Sequence, residues 1–473
     1  MVALPRTLVR LLKPIPAAVV VLFGLVPLPA SGVQVVANCN DSGDGSLRQA
    51  ILDATEGEEV DASQLQCSTI SLSGSPLIVS KDSLTISGPG SGLLAIERAS
   101  GEYNVFLHSG LGTLSIANVA IRNGYGFLDD ASKYLGGGCI SSSGDVVLDH
   151  ATVTNCRMKT GNLSRSRGGA VFAEGDVTLL NSTVNGNDAI GAEYGNGYYR
   201  PTFGGAIFAK GHVLVSHSVV SSNHATNGGG IFSKGGITLI DSSVTGNTAY
   251  KGGAVYSSGD ASISGSTISG NHARDIGGGF VLSPTSNMAN ESAAISNSTI
   301  SGNSASDAFY AGSALVAYLP LTISSSTIAF NVSPAGSKSV AVYGFGTSLS
   351  LLGSIVAENQ PADILVQPTT IVSGAGNLLS TPFDAMPGDT IVACPQLERL
   401  ADNGGPTLTH APRLTSPAID GAGTVSPTTD QRGAGFVRPY GAEADIGALE
   451  WQGTPIDAVF ASGFQDTALF CDL

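Results

Sequence analysis

Charge is scarce in this chain: Asp, Glu, Lys and Arg make up 12% of it, about half the usual share for a globular domain. The scarcity does not signal disorder, because 42% of the residues are apolar. Gly, Ser, Thr and Asn fill the polar positions instead. Cations are the rarer sign. With 22 Lys and Arg against 37 Asp and Glu, the formal charge is −15, a field that repels phosphate backbones and argues against nucleic acid as a partner. No apolar run after Leu28 approaches the length that spans a bilayer. His150, His212, His217, His224 and His272 are scattered over turns without metal-ligand spacing, which argues against a zinc site.

What the chain does have is a repeat. Residues 228–250 read GGGIFSKGGITLIDSSVTGNTAY, and 251–273 read KGGAVYSSGDASISGSTISGNHA. Gly228 aligns with Gly252, Ile231 with Val255, Val244 with Ile268 and Asn247 with Asn271, each pair 24 residues apart. Alternating β-branched residues separated by Gly, Asn and Asp at such a period specify one coil of a β-solenoid per unit. The expected fold is all-β: a single-stranded right-handed parallel β-helix with a short N-terminal capping helix and an irregular C-terminal cap. Its expected divisions are a signal peptide (1–32), N-terminal cap and first coils (33–100), the repeats (101–360), the C-terminal cap (361–452) and a tail (453–473).

Arg6, Arg10 and Lys13 precede an apolar run from Ile15 to Leu28 that ends in Ala30, Ser31 and Gly32, the pattern of a secretory signal. The alternative is an uncleaved anchor, disfavoured by Pro16 and Pro27 within a short run. Next, Ser46 and Gln49 form a capping box, and Leu47, Ile51 and Ala54 share one face of a short helix suited to close the open end of the core. Cys39 and Cys67 flank that helix. In an exported protein they are expected to form a disulfide, the alternative being two buried thiols.

A turn marker follows the repeat through Asn123, Cys156, Asn187, Asn223, Asn247, Asn271, Asn303, Asn331 and Asn359. Asn tolerates the left-handed conformation of a tight corner, and its amide can bond the equivalent residue one coil on, so these residues are read as structural. A second marker, at Cys139, Ala170, Ala206, Gly230 and Ala254, precedes the corner by 17 residues. From corner to next marker the count is 16 at Asn123, 14 at Cys156 and 19 at Asn187, but 7 at Asn223 and Asn247. One corner therefore carries the insertions, stacked along one edge. They hold Asp129, Asp130, Arg157, Lys159, Arg165, Arg167, Glu193, Tyr194, Tyr198, Tyr199 and Arg200. Loops on a rigid scaffold are where binding residues concentrate, so Tyr194, Tyr198, Tyr199 and Arg200 are the expected ligand-binding residues; solvated loops are the bland alternative. Phe172, Phe208, Phe232 and Tyr256 form a ladder whose neighbours Val171, Ile207, Ile231 and Val255 must point the other way. If the aliphatics face inward the aromatics form an outer stripe for sugar stacking or packing. Glu174 and Lys210 hold the same turn position in successive coils and can pair.

The units GGAIFAKGHVLVSHSVVSSNHA and GGAVYSSGDASISGSTISGNHA resemble the GGAI-type repeats of chlamydial polymorphic outer membrane proteins and the wider pectin-lyase-like right-handed β-helix group. LADNGGPTLTHAPRLTSPAIDG, TDQRG and ADIGALE, in that order, are similar to the choice-of-anchor Q domain. The resemblance implies a bacterial protein exported to the cell surface or envelope. Only 22 residues follow Trp451, with no room for the translocating barrel of the polymorphic proteins. The ending IDAVFASGFQD resembles short phenylalanine-glycine endings of some proteobacterial exported proteins. The pairing of Cys139, Cys156, Cys394 and Cys471 stays open.

Many β-helix proteins cleave polysaccharides, so catalysis must be sought in residues. A hydrolase needs clustered carboxylates with a basic anchor, and a lyase needs calcium-binding carboxylates and an Arg or Lys base. Asp129, Asp130 and Arg165 are the candidates, and nothing in their spacing requires that role. The expected function is non-catalytic binding of polysaccharide or cell-surface glycan, with no cofactor unless calcium is used. Cleavage through the stacked loops is the alternative.

Overall fold

The computed structural model describes residues 32–128, 136–161, 166–195, 198–285, 291–306, 312–334, 340–423 and 427–453. The signal and tail readings, Cys471, Asp129, Asp130 and Arg165 lie outside them. The described chain is a single-stranded right-handed parallel β-helix. Three sheets run along it: sheet I, 13 strands from Val33–Val35 to Ile371–Ala375; sheet II, 11 strands from Leu77–Val79 to Ile364–Val366; and sheet III, 13 strands from Thr69–Leu72 to Ile391–Val392. A single coil passes through Ile231–Ser233 in sheet II, Ile237–Ile240 in sheet I and Ser243–Thr245 in sheet III. Ile231 pairs with Val255 and Val244 with Ile268, the 24-residue alignment of the sequence.

Inside the coils, alternate side chains stack on their counterparts. Ile237 and Leu239 of one coil are fully buried, as are Val213 and Val215 before them and Ile263 after. Each such side chain contributes roughly 1.5–3 kcal/mol relative to an exposed one. In the middle coils of sheet II the outward residues are buried too, as in Val171–Ala173 and Ile207–Ala209, and the same holds for the later strands of sheet III, such as Thr299–Ser301 and Thr327–Ala329.

The corners depart from the sequence reading. The left-handed residue is the one before the asparagine, as at Ser222 (φ 56°), Gly246 (φ 63°) and Glu358 (φ 58°). The asparagine itself turns inward. Asn223 donates from its backbone N–H and from Nδ2 to Asn247 Oδ1, both at 2.9 Å, and Asn247 repeats both bonds to Asn271. The ladder runs from Asn187 to Asn359 and ends on Asp363, while Cys156 donates its N–H into the first rung. Asn123 is itself left-handed (φ 62°) and bonds Asn155, so the marker there is displaced by one residue and Gly124 is the true counterpart of Cys156. A serine ladder not foreseen from sequence parallels it, with Ser218 N–H donating to Ser242 Oγ and Ser242 N–H to Ser266 Oγ, each at 3.1 Å.

At the N-terminal end, the helix Leu47–Asp53 buries Leu47, Ala50 and Ile51, and Ser46 Oγ accepts from the Gln49 N–H. Only half of the capping box forms, because the Gln49 side chain bonds Asp53. Cys39 and Cys67 are disulfide-bonded, as expected. So are Cys139 and Cys156, and Cys394 is also in a disulfide. Cys139 and Cys156 hold the marker and corner positions that Ala206 and Asn223 hold two coils later, so a covalent bond stands where later coils have the amide ladder.

The C-terminal segment does more than close the end. It runs back along the outer face of sheet III: Gly447 N–H donates to Gly353 O, Ala448 N–H to Thr327 Oγ1, Thr299 Oγ1 to Gln431 Oε1 and Thr407 Oγ1 to Gly265 O. Ala329, Ile355 and Ala357 of the sheet pack against Ala418, Ala444 and Ile446 in a second apolar core. Beneath it lies a buried charge network. Arg432 holds Asp430 at 2.6 Å and Arg438 holds Glu450 at 3.1 Å. Asp445, the third carboxyl against two guanidiniums, is pushed by burial up to about 6. His410, wedged between Ser301 Oγ at 2.8 Å and Glu398 O at 2.7 Å, is pulled by burial down to about 4.

Removing one rung of the amide ladder should cost about 2–4 kcal/mol, because Asn247→Ala leaves the Asn223 donors and the Val220 carbonyl unpaired in the interior. A fall in the urea midpoint checks this; an unchanged midpoint would show that the rung contributes nothing. The two buried titrations of the C-terminal segment oppose each other. The His410 contribution is full above its unfolded pKa of 6.5 and is lost as pH falls through about 4; that of Asp445 is full below 3.8 and is lost as pH rises through about 6. Asp445→Asn should therefore make the melting temperature fall on acidification between pH 6.5 and 4 relative to the parent, and His410→Gln should make it rise. Melts that tilt the same way in both variants would refute the assignment.

Candidate functional site

The insertions do not form loose loops at their base. Tyr125–Leu128, Arg157–Thr160 and Asp188–Ile190 make a fourth, three-stranded parallel sheet on the flank of the solenoid. The register sets Tyr125 beside Arg157 beside Asp188, and Phe127 beside Lys159 beside Ile190. Because side chains alternate along a strand, Gly126, Met158 and Ala189 face inward and are buried. The other six residues form an outward grid: an aromatic row, a basic row and a mixed row. Phe127 is 36% exposed, and Arg157 and Lys159 are exposed with no ion pair among the described residues.

Beyond the third strand, Glu193–Gly195 and Tyr198–Tyr199 form an antiparallel hairpin. Tyr194, Tyr198 and Tyr199 thus belong to one built element, and Arg200 N–H closes it by bonding Ala192 O at 2.9 Å. Tyr125, Phe127, Asp188 and Ile190 were not singled out from sequence. The signal was present as the i, i+2 pairs of YGF, RMK and DAI, short enough to be taken for loop.

The phenylalanine ladder lies outside the bore, since Val171, Ile207 and Ile231 fill the core, yet it is not open to a ligand. Phe172 and Phe208 stack with centroids 5.5 Å apart and Phe208 and Phe232 with 5.4 Å, and all three are buried. Phe203 packs edge-on against Phe232, and the Arg167 guanidinium lies over Phe208. These rings are packing, not a sugar platform. Glu174 and Lys210 do pair, as a partly exposed contact of small energetic weight.

Asp188 also bonds His224 of the next coil at 3.0 Å, and that bond raises the His224 pKa above its ordinary value. Among the described residues no group of three or more His, Cys, Asp or Glu is placed to hold a metal ion, and no helix is long and apolar enough to cross a membrane. No family model, no curated protein and no solved structure matches the chain.

Replacing Asp188 with Asn should lower the His224 pKa, read by NMR titration of its ring protons. An unmoved midpoint would mean that the carboxylate does not stabilise the imidazolium.

Proposed function

We propose that this is an exported bacterial protein of the cell surface or envelope that binds polysaccharide or surface glycan, without cleaving it, through the fourth sheet and its hairpin. The carrying observation is the outward grid on that sheet. Aromatic faces at Tyr125 and Phe127 suit sugar rings, and the adjacent Arg157 and Lys159 supply hydrogen-bond donors that form no ion pair among the described residues. A flat, hydrogen-bonded sheet holds these groups in a fixed geometry, which lowers the ordering cost of binding. Disulfides at Cys39–Cys67 and Cys139–Cys156 support an oxidising compartment, in keeping with the signal-like N-terminus. The repeat and C-terminal motifs carry the same expectation by resemblance.

On a panel of plant and bacterial polysaccharides, with and without calcium, the purified protein should be retained without releasing reducing or unsaturated ends. Phe127→Ala and Lys159→Ala should each weaken retention about tenfold, the size expected for one lost contact of about 1.4 kcal/mol. Release of new ends, abolished by Asp129→Ala with Asp130→Ala, would replace binding by cleavage as the function.

A further inference from the structure

The fourth sheet begins abruptly. The coil before Tyr125–Leu128 has no strand in that position, and the edge left behind opens into a cavity of about 310 Å³ lined by Arg98, Asn123, Gly124, Tyr125, Asn155 and Arg157. The site is built by the corner chemistry of the solenoid. Asn123 and Asn155, both left-handed, stack with Asn155 Nδ2 donating to Asn123 Oδ1 at 2.6 Å. Arg98 ends the strand Ala95–Arg98 of sheet III and is only 4% exposed.

Its electrostatics are unusual for a protein of net charge −15. The buried Arg98 guanidinium is met by carbonyl oxygens, Gly74 O at 2.6 Å and Ser100 O at 3.0 Å, and by no carboxylate at ion-pair distance among the described residues. Its Nε–H has no acceptor. Asp41, whose field reaches Arg98, is already held by Arg48 at 2.7 Å, and Glu97 is held by Arg122 at 2.5 Å. Arg157, which also lines the cavity, is exposed and likewise has no carboxylate at ion-pair distance among the described residues. Two guanidiniums without carboxylate partners therefore line one cavity with Asn123, Asn155 and Tyr125, and the carboxylate that touches this lining, Glu97, accepts from Asn123 Nδ2 at 3.3 Å as well as from Arg122. A buried cation without a counter-ion is costly, and an anion entering the cavity would relieve that cost.

We propose that this cavity binds an oxyanion substituent, a carboxylate or a sulfate ester, carried by a saccharide lying on the fourth sheet. The inference rests on the glycan-binding reading and adds the ligand's charge. Arg157 supplies the accessible guanidinium, Asn155 and Tyr125 supply polar groups beside it, and the positive field of Arg98 supplies the floor. The sugar ring then reaches Phe127 across the same face.

Saturation-transfer NMR on the purified protein tests this with methyl glucuronide, glucose 6-sulfate, methyl glucoside and inorganic sulfate. The two charged sugars should bind, more weakly at high salt, and methyl glucoside should not; which of them binds better separates carboxylate from sulfate. Arg157→Gln should weaken binding at least tenfold, and Asn155→Asp, which keeps the side-chain size and adds a negative charge, should abolish it. Arg274→Gln, at an exposed position remote in the repeat, should change nothing. Equal binding of charged and neutral sugars, binding of no sugar, or charged-sugar binding indifferent to Arg157→Gln would overturn the proposal. Binding of inorganic sulfate alone would overturn the saccharide assignment. The two readings fail separately. Polysaccharide retention lost in Phe127→Ala but unchanged in Arg157→Gln would leave the surface without the anion pocket. Charged-sugar binding lost in Arg157→Gln, with no polysaccharide retained, would leave the pocket without the surface.

Discussion

A parallel solenoid must satisfy the backbone groups of its corners, because there the strand-to-strand ladder of the flat sheets is interrupted. In this protein two columns of buried side chains do so. Asparagine amides on one side of sheet III and serine hydroxyls on the other each accept the N–H of the preceding coil's corner. Because every asparagine also donates inward, to carbonyls such as Val220 O and Val244 O, the column ties corner to sheet as well as coil to coil. In an interior of low dielectric such chains are strong when complete and costly when interrupted. Their ends are accordingly specialised. Asp363 receives the last asparagine together with Ser380 and Thr381, and Cys156 combines the first donor with a disulfide.

Once the corners are secured, the outward faces of the sheets differ in what covers them. Sheet II carries stacked phenylalanines beneath Phe203 and Arg167, and so acquires a second apolar layer outside the bore. Sheet III, over its later coils, presents Thr267, Thr299 and Thr327 to the C-terminal segment, which docks by hydrogen bonds to those hydroxyls and by a small apolar core. The fourth sheet presents aromatic and basic residues outward instead. That pairing of aromatic and basic rows makes it the functional candidate; Tyr103, Tyr250, Tyr318 and Tyr440 are exposed elsewhere, outside such a grid.

Charge is distributed by the same logic. The buried carboxyls and guanidiniums of the C-terminal segment neutralise one another almost completely, with burial holding Asp445 toward its neutral form. At the start of the fourth sheet the nearby carboxylates are engaged elsewhere, Glu97 by Arg122 and Asp188 by His224, and Arg98 and Arg157 share a cavity without an ion pair among the described residues. In an acidic protein a local deficit of carboxylates has a larger effect on ligand choice than the number of cations suggests, because the surrounding field repels anions everywhere else.

Sequence alone determined the coil, its period, the helix that closes one end, the Cys39–Cys67 bridge and the corner that carries the insertions of the early coils. All of these depend on residues near in sequence or on a spacing that recurs. It did not place the later insertion at 284–292, which falls at a different corner, between sheets II and I. It misplaced the left-handed residue by one position, because asparagine is compatible both with that conformation and with the buried rung beside it, and only backbone geometry separates them. It did not find the Cys139–Cys156 bond, since those two residues occupied marker positions that small or amide residues fill elsewhere. Stacking decided the rest. Which face of the Phe172–Phe208–Phe232 ladder is covered, where the threonines bond residues more than a hundred positions away, and how Arg98 comes to share a cavity with Arg157 all depend on coils being laid side by side. No local pattern records such contacts, because each partner is set by the lengths of all the coils between.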